Sequence, residues 1–135
     1  MTARSKQWIT SKVVGAVVGT FAGGLTVLLG ESAGHALFGT VEPGDLASVT
    51  GPMFASVLVA WVLGSVVGGV VATVWTRARS YIPGVVVGLV LLAGAMSNMF
   101  VIPHPWWMMI GAVVLMPGAA CLATHWRVTS VRNTS

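Results

Sequence analysis

Four long runs without formal charge constrain the fold of this chain more than any other sequence feature. They cover about residues 13–30, 52–75, 82–102 and 106–126, and none contains Lys, Arg, Asp or Glu. Each run approaches or exceeds the ~20 residues that cross a ~30 Å hydrocarbon layer as a helix. Because lipid offers the backbone no hydrogen bonds, each run should be helical throughout. The sequence therefore predicts an all-α, four-transmembrane-helix bundle, a single membrane domain over residues 1–135 with short loops and one longer outer loop at about 31–51.

Composition supports a membrane setting and argues against a soluble nucleic-acid-binding domain. The chain is 56% hydrophobic and only 7% charged, whereas a soluble domain carries about 25% charged residues on a surface that must face water. The net charge of +4 could indicate a nucleic-acid partner, but the basic residues lie in three short clusters between the apolar runs. We therefore expect the protein to be embedded in a lipid bilayer and not to bind nucleic acid.

The basic clusters also predict the orientation of the bundle. With four spans, the three clusters lie on one side of the membrane, and the three acidic residues lie on the other. Basic residues concentrate in cytoplasmic loops, so both termini are predicted to be cytoplasmic. The seven basic residues are Arg4, Lys6, Lys12, Arg77, Arg79, Arg127 and Arg132, and the three acidic residues are Glu31, Glu42 and Asp45.

Small residues at four-residue spacing predict how the first two spans pack. Such stripes let helix backbones approach closely, which replaces the hydrophobic drive that is missing in lipid. The predicted helix-packing stripe consists of Gly15, Gly19 and Gly23 on span one and Ala60, Gly64 and Gly68 on span two. Two interpretations stay open: the stripe joins spans one and two within one chain, or it mediates a homo-oligomer or a contact with another membrane protein.

Four polar residues are the candidate functional site. Glu31 and His35 are four residues apart, so they share a face if span one continues as a helix towards Phe38. His104 lies in the turn between spans three and four, and Asn98 lies below it in span three. The topology predicts that Glu31, His35, Asn98 and His104 lie at one level near the outer interface, where polar groups usually face the protein interior.

Three functions are compatible with this cluster. The first is structural: Glu31 pairs with His35 or His104 and holds the outer helix ends together in a non-enzymatic structural or accessory protein. The second is a metal site, in which Glu31, His35 and His104 bind Zn or Cu. The third is a small-solute or ion entrance with titrating groups, acting as an oligomer because one subunit offers no continuous polar path.

Other residues bear on these alternatives. Thioether ligands suit Cu(I), and five methionines fall towards the outer side: Met53, Met96, Met99, Met108 and Met109. The single cysteine, Cys121, cannot form an internal disulfide, and the sequence carries no catalytic Ser-His-Asp set, phosphate loop or dinucleotide fingerprint. We therefore predict that the protein is not an enzyme and binds no cofactor, unless the polar cluster binds Zn or Cu.

Trp61 stands apart from the other aromatic residues because it lies deep within span two. Its indole N–H needs a hydrogen-bond partner there, which predicts that Trp61 faces the bundle and not the lipid.

The chain contains three short motifs: Glu31-x-x-Gly34-His35, Trp61-x-x-Gly64, and Asn98 followed after four residues by Pro103-His104-Pro105-Trp106. Together these motifs resemble those of a group of small bacterial four-span integral membrane proteins of uncharacterised function. The resemblance covers most of the chain and implies a bacterial plasma (inner) membrane setting. It implies no activity, substrate or cofactor.

Overall fold

A computed structural model describes residues 3–40, 45, 48–77 and 80–133, and these residues form a bundle of four helices. The helices are α1 (Ala3–Phe38), α2 (Gly51–Trp75), α3 (Ile82–Val101) and α4 (Trp106–Asn133). All four are long and apolar enough to cross a membrane. The predicted all-α bundle of four spans is confirmed.

The helices at both ends of the chain run further than the apolar runs alone indicate. Helix α1 begins at Ala3, well before the predicted residue 13, and continues through Glu31 to Phe38. Residues 31–38 of the predicted outer loop are therefore helical. The helix stops where Gly39 adopts φ 93° and donates its N–H to the His35 carbonyl at 2.9 Å, a left-handed cap that favours glycine. Helix α4 likewise extends beyond residue 126 to Asn133. Glu42 and Arg79 lie outside the described residues.

Helix α2 occupies the centre of the bundle. It contacts α1, α3 and α4, and α3 in turn contacts both α1 and α4. Within the described residues, α1 and α4 share no contact and lie on opposite sides of the α2–α3 pair. At one end of the bundle, Tyr81 before α3 stacks on His125 of α4, with ring centroids 6.2 Å apart. The described termini of the chain and the α2–α3 turn therefore lie at this end.

Glycines bring α1 and α2 into backbone contact. A Cβ added at Gly19 would lie 2.5 Å from the Gly68 carbonyl oxygen, and one added at Gly23 would lie 2.6 Å from that of Gly64. Since real Cβ atoms do not approach so closely, only glycine allows this helix separation. The predicted stripe thus lies in the α1–α2 contact of a single chain and is covered there.

A side-chain core fills the space between α2, α3 and α4 towards the other end of the bundle. All its members are at most 5% exposed: Trp61, Ala95, Met108, Ala112 and Met116. Around this core, α1 and the outward faces of the other helices leave large apolar side chains uncovered, among them Phe21 at 76% and Leu122 at 73% exposed. An apolar exterior of this kind is the surface expected of a bundle surrounded by lipid.

Candidate functional site: the Trp61 cluster

Trp61 is the centre of the candidate site. Its side chain is only 3% exposed, and its indole Nε1–H donates a hydrogen bond to Glu31 Oε1 at 2.8 Å. The prediction that Trp61 faces the bundle is confirmed, and its partner is an acidic side chain on α1. A bond between an N–H donor and a carboxylate is stronger than one between neutral groups.

The close approach of α1 and α2 places Glu31 within reach of this indole. Two glycines that flank Glu31 in the sequence face α2. A Cβ added at Gly30 would lie 2.6 Å from Ala60 Cβ, and one added at Gly34 would lie 2.6 Å from Ser56 Oγ. Glu31 itself is half-buried. The local sequence Gly30-Glu31-x-x-Gly34 therefore lets the helix approach α2 closely enough to hold a carboxylate against Trp61.

His104 lies beside the same indole. Its ring is 5.9 Å from the Trp61 ring and 5.5 Å from the Phe54 ring, centroid to centroid. Phe54 and Trp61 are seven residues apart and lie on one face of α2. The histidine of the α3–α4 turn therefore packs against two aromatic rings of α2. We refer to Glu31, Phe54, Trp61 and His104 as the Trp61 cluster.

The hydrogen bonding of His104 indicates its tautomer. Its Nδ1 lies 2.5 Å from the carbonyl oxygen of Ile102. A carbonyl oxygen can only accept, so Nδ1 carries the hydrogen in this contact, and in the neutral ring Nε2 keeps its lone pair. The bond to a residue two positions earlier also keeps the imidazole folded back over its own turn.

The structure unites only part of the predicted polar cluster. Glu31 and His104 both touch Trp61, whereas His35 is exposed on the last turn of α1. Asn98 is half-buried on α3, and its backbone carbonyl accepts the N–H of Ile102 at 3.0 Å. Within the described residues, Glu31 pairs with Trp61 and with neither histidine, and the Asn98 side-chain amide makes no hydrogen bond.

The three predicted metal ligands, Glu31, His35 and His104, do not form one site in the structure. No three His, Cys, Asp or Glu side chains converge on a metal-binding arrangement in the described part of the chain. The outer methionines do not surround His104 either. Met108 is fully buried in the core, the sulfur of Met53 accepts the Thr50 N–H at 3.5 Å, and a separate groove between α3 and α4 is lined by Met96, Met99 and Met109.

The interior of the bundle beyond the cluster offers no chain of free polar groups among the described residues. The Ser65 hydroxyl donates to the Trp61 carbonyl at 3.0 Å, and the Thr73 hydroxyl donates to that of Gly69 at 2.7 Å. The hydroxyl oxygens of Thr73 and Thr124 are 3.4 Å apart. Each interior hydroxyl of α2 is thus satisfied by its own helix, and no buried side-chain N or O atom in this part lacks a partner.

The fold places the chain in a general class: it is a small multi-pass membrane protein. No protein-family model, curated protein or solved structure matches the chain.

Proposed function

We propose that this protein is a non-enzymatic structural or accessory protein of a bacterial plasma membrane, with both termini in the cytoplasm. In this proposal the Trp61 cluster holds the helices together at the end of the bundle opposite the chain termini. Its members belong to three segments that the bundle must hold in register: Glu31 on α1, Phe54 and Trp61 on α2, and His104 on the α3–α4 turn.

The observation that carries the proposal is the 2.8 Å bond from Trp61 Nε1 to Glu31 Oε1. A carboxylate and an indole N–H that lose contact with water are each costly unless they find a partner. Here each satisfies the other, and the same indole also supports His104. The polar groups are therefore used to hold helices together, and beyond them the buried hydroxyls of Ser65 and Thr73 bond to their own helix.

A double-mutant cycle tests the structural function. Trp61→Phe keeps an aromatic ring but removes the N–H, and Glu31→Leu removes the accepting carboxylate and keeps a side chain of similar size. Each single variant should lower the free energy of unfolding in detergent by about 1–3 kcal/mol. The double variant should lose less than the sum, because both changes remove the same bond. Ser97→Ala is the matched control, since the exposed Ser97 hydroxyl bonds only to its own helix at the Ala93 carbonyl. Additive losses would contradict the proposal.

The same preparations distinguish the two competing functions. A metal-binding protein would melt at a higher temperature after addition of Zn²⁺ or Cu⁺, and His104→Ala would abolish that increase, because Nε2 of His104 is the ring nitrogen with a lone pair to offer. A transporter would give ion or solute flux in liposomes that Glu31→Gln alters. Neither effect is expected here, and either one would replace the structural proposal.

The proposed orientation has its own test. In a Cys121→Ala background, Asp45→Cys and Asn133→Cys place single thiols at exposed positions at opposite ends of the bundle. A membrane-impermeant maleimide added to intact cells should label residue 45 and leave residue 133 unlabelled until the cells are opened. Labelling of residue 133 in intact cells would reverse the orientation.

A further inference from the structure

A groove between α1 and α3 is the feature that the proposed function leaves unexplained. It has a volume of about 510 Å³ and lies near the bundle end that carries the termini. One wall is α1 from Lys12 to Phe21, and the other is α3 from Ile82 to Val90. Behind the groove the two helices touch, where Val87 packs against Gly19, and Leu91 packs against Gly23 just beyond its central end. The groove therefore has a closed floor between the helices, and its outer side is lined by exposed residues such as Val17 and Val86.

The length of the groove matches one leaflet of a bilayer. Nine residues of helix separate Lys12 from Phe21, which corresponds to about 13 Å along α1 at 1.5 Å per residue. This length is close to half of a ~30 Å hydrocarbon core. Its walls are apolar apart from Lys12 at one end and the Thr20 hydroxyl. A groove of this length accommodates an acyl chain of a single leaflet, whereas a second transmembrane helix would need a groove across both.

Lys12 places a positive charge at the end of this groove nearest the chain termini. This charge has no acidic side chain to pair with. Its Nζ lies 3.3 Å from the centre of the Trp8 ring, a cation–π contact that leaves the charge in place. The sequence contains no Asp or Glu before Glu31, about 28 Å further along the helix, and none after Asp45. No side-chain carboxylate near this end of the bundle can neutralise Lys12, so the available anions are the phosphates of lipid headgroups.

From these observations we propose that the α1–α3 groove binds an anionic phospholipid of the leaflet nearest the termini. One acyl chain lies along Val17 and Val86, and the headgroup phosphate pairs with Lys12. Anionic lipids are favoured over zwitterionic ones because a zwitterionic headgroup carries its own cation beside the phosphate. A basic side chain near the membrane surface strengthens attraction to anionic lipid by about five-fold, which sets the expected size of the preference.

The test measures lipid binding to the full-length protein by native mass spectrometry after delipidation. Phosphatidylglycerol and phosphatidylcholine with identical acyl chains are the two probes. The natural protein should bind phosphatidylglycerol about five-fold more tightly, and Lys12→Gln should remove this preference without weakening phosphatidylcholine binding. Lys6→Gln is the matched control, since Lys6 carries the same charge on the same helix but does not line the groove. Equal losses in both variants would overturn the proposal in favour of a nonspecific basic surface.

A second pair of variants tests the groove itself. Val86→Trp fills it from the α3 wall, and Val17→Trp fills it from the α1 wall. Both should release the tightly held lipid whatever its headgroup. Leu89→Trp is the control, because Leu89 is exposed on α3 outside the groove. Retention of lipid by both groove-filling variants would overturn the proposal. Loss of a dimer mass in these variants with unchanged lipid binding would instead assign the groove to a second copy of the chain.

Discussion

Helix α2 is packed in two different ways on its two sides. Against α1, the contact is made by backbones, with Gly19 facing Gly68 and Gly23 facing Gly64. Against α3 and α4, the contact in the half of the bundle that contains Trp61 is made by large side chains, with Trp61, Met108 and Met116 at its centre. Nearer the termini, Gly69 of α2 approaches the α4 backbone at Ala120. Lipid tails are as apolar as the side chains, so burial alone stabilises neither side strongly. Both arrangements increase the number of atoms in van der Waals contact. Glycines do so by letting two backbones approach each other, and large side chains do so by interlocking.

The two sides differ in what they tolerate. A contact between backbones has no rotamers that can adjust, so any added atom must push the helices apart. A contact between side chains can repack around a lost or altered group. We therefore expect substitutions on the glycine side to cost more than substitutions of similar size on the side-chain side.

Gly19→Leu should produce the largest effect. The new side chain would begin 2.5 Å from the Gly68 carbonyl oxygen and 2.7 Å from Ala72 Cβ, so α1 must move away from α2. The free energy of unfolding should fall by about 3 kcal/mol or more, measured by denaturation in detergent with circular dichroism. Gly24→Leu is the matched control, because no atom lies within 4 Å of a Cβ added there. Similar losses in the two variants would show that the α1–α2 contact is not sensitive to added volume.

Met116→Ala should produce an intermediate effect on the other side of α2. Met116 is 1% exposed in the side-chain core, and truncation leaves a cavity. In water such a change costs about 2–5 kcal/mol, which includes loss of burial. Because burial contributes little in lipid, we expect only the cavity part, about 1–2 kcal/mol.

The matched control for this core substitution is Met109→Ala, at a position 40% exposed on the same helix. It should change the stability by less than about 0.5 kcal/mol. A loss at Met116 larger than that at Gly19 would reverse the comparison between the two sides of α2.

Arg77→Gly should produce the smallest effect, and of opposite sign. Arg77 follows α2 in the turn to α3 with φ 55°, a left-handed conformation that costs a non-glycine residue about 1 kcal/mol. Glycine adopts it freely, so the variant should gain about 0.5–1 kcal/mol in the same denaturation assay. Arg77→Ala, which removes the charge but keeps Cβ, should show no gain; an equal gain would attribute the effect to the charge.

The Trp61 cluster shows how far reasoning from sequence reaches into the site. Trp61 was expected to need a partner, and Glu31 was expected to need one too, but their pairing was not predicted. The helix register contained a signal. Gly19 faces Gly68 and Gly23 faces Gly64, so each turn along α1 matches one turn back along α2. Extending this register sets Glu31 opposite Ser56, which lies five residues, or about one and a half turns, before Trp61 on α2. The register therefore indicates the segment of α2 that Glu31 faces, but not its partner.

The number of helices and the apolar segment in each followed from the sequence alone, since a lipid environment permits only long apolar segments with internally bonded backbones. The first and last helices nevertheless extend beyond these segments. The continuation of α1 through Glu31 to Phe38 was also within reach of the sequence, because Gly39 is a residue that commonly caps a helix. The pairing of Glu31 with Trp61 and the packing of His104 against two aromatic rings depended on the tertiary structure. Such contacts are decided by the distance and rotation between helices, which the packing of glycines and core side chains determines jointly and no single segment encodes.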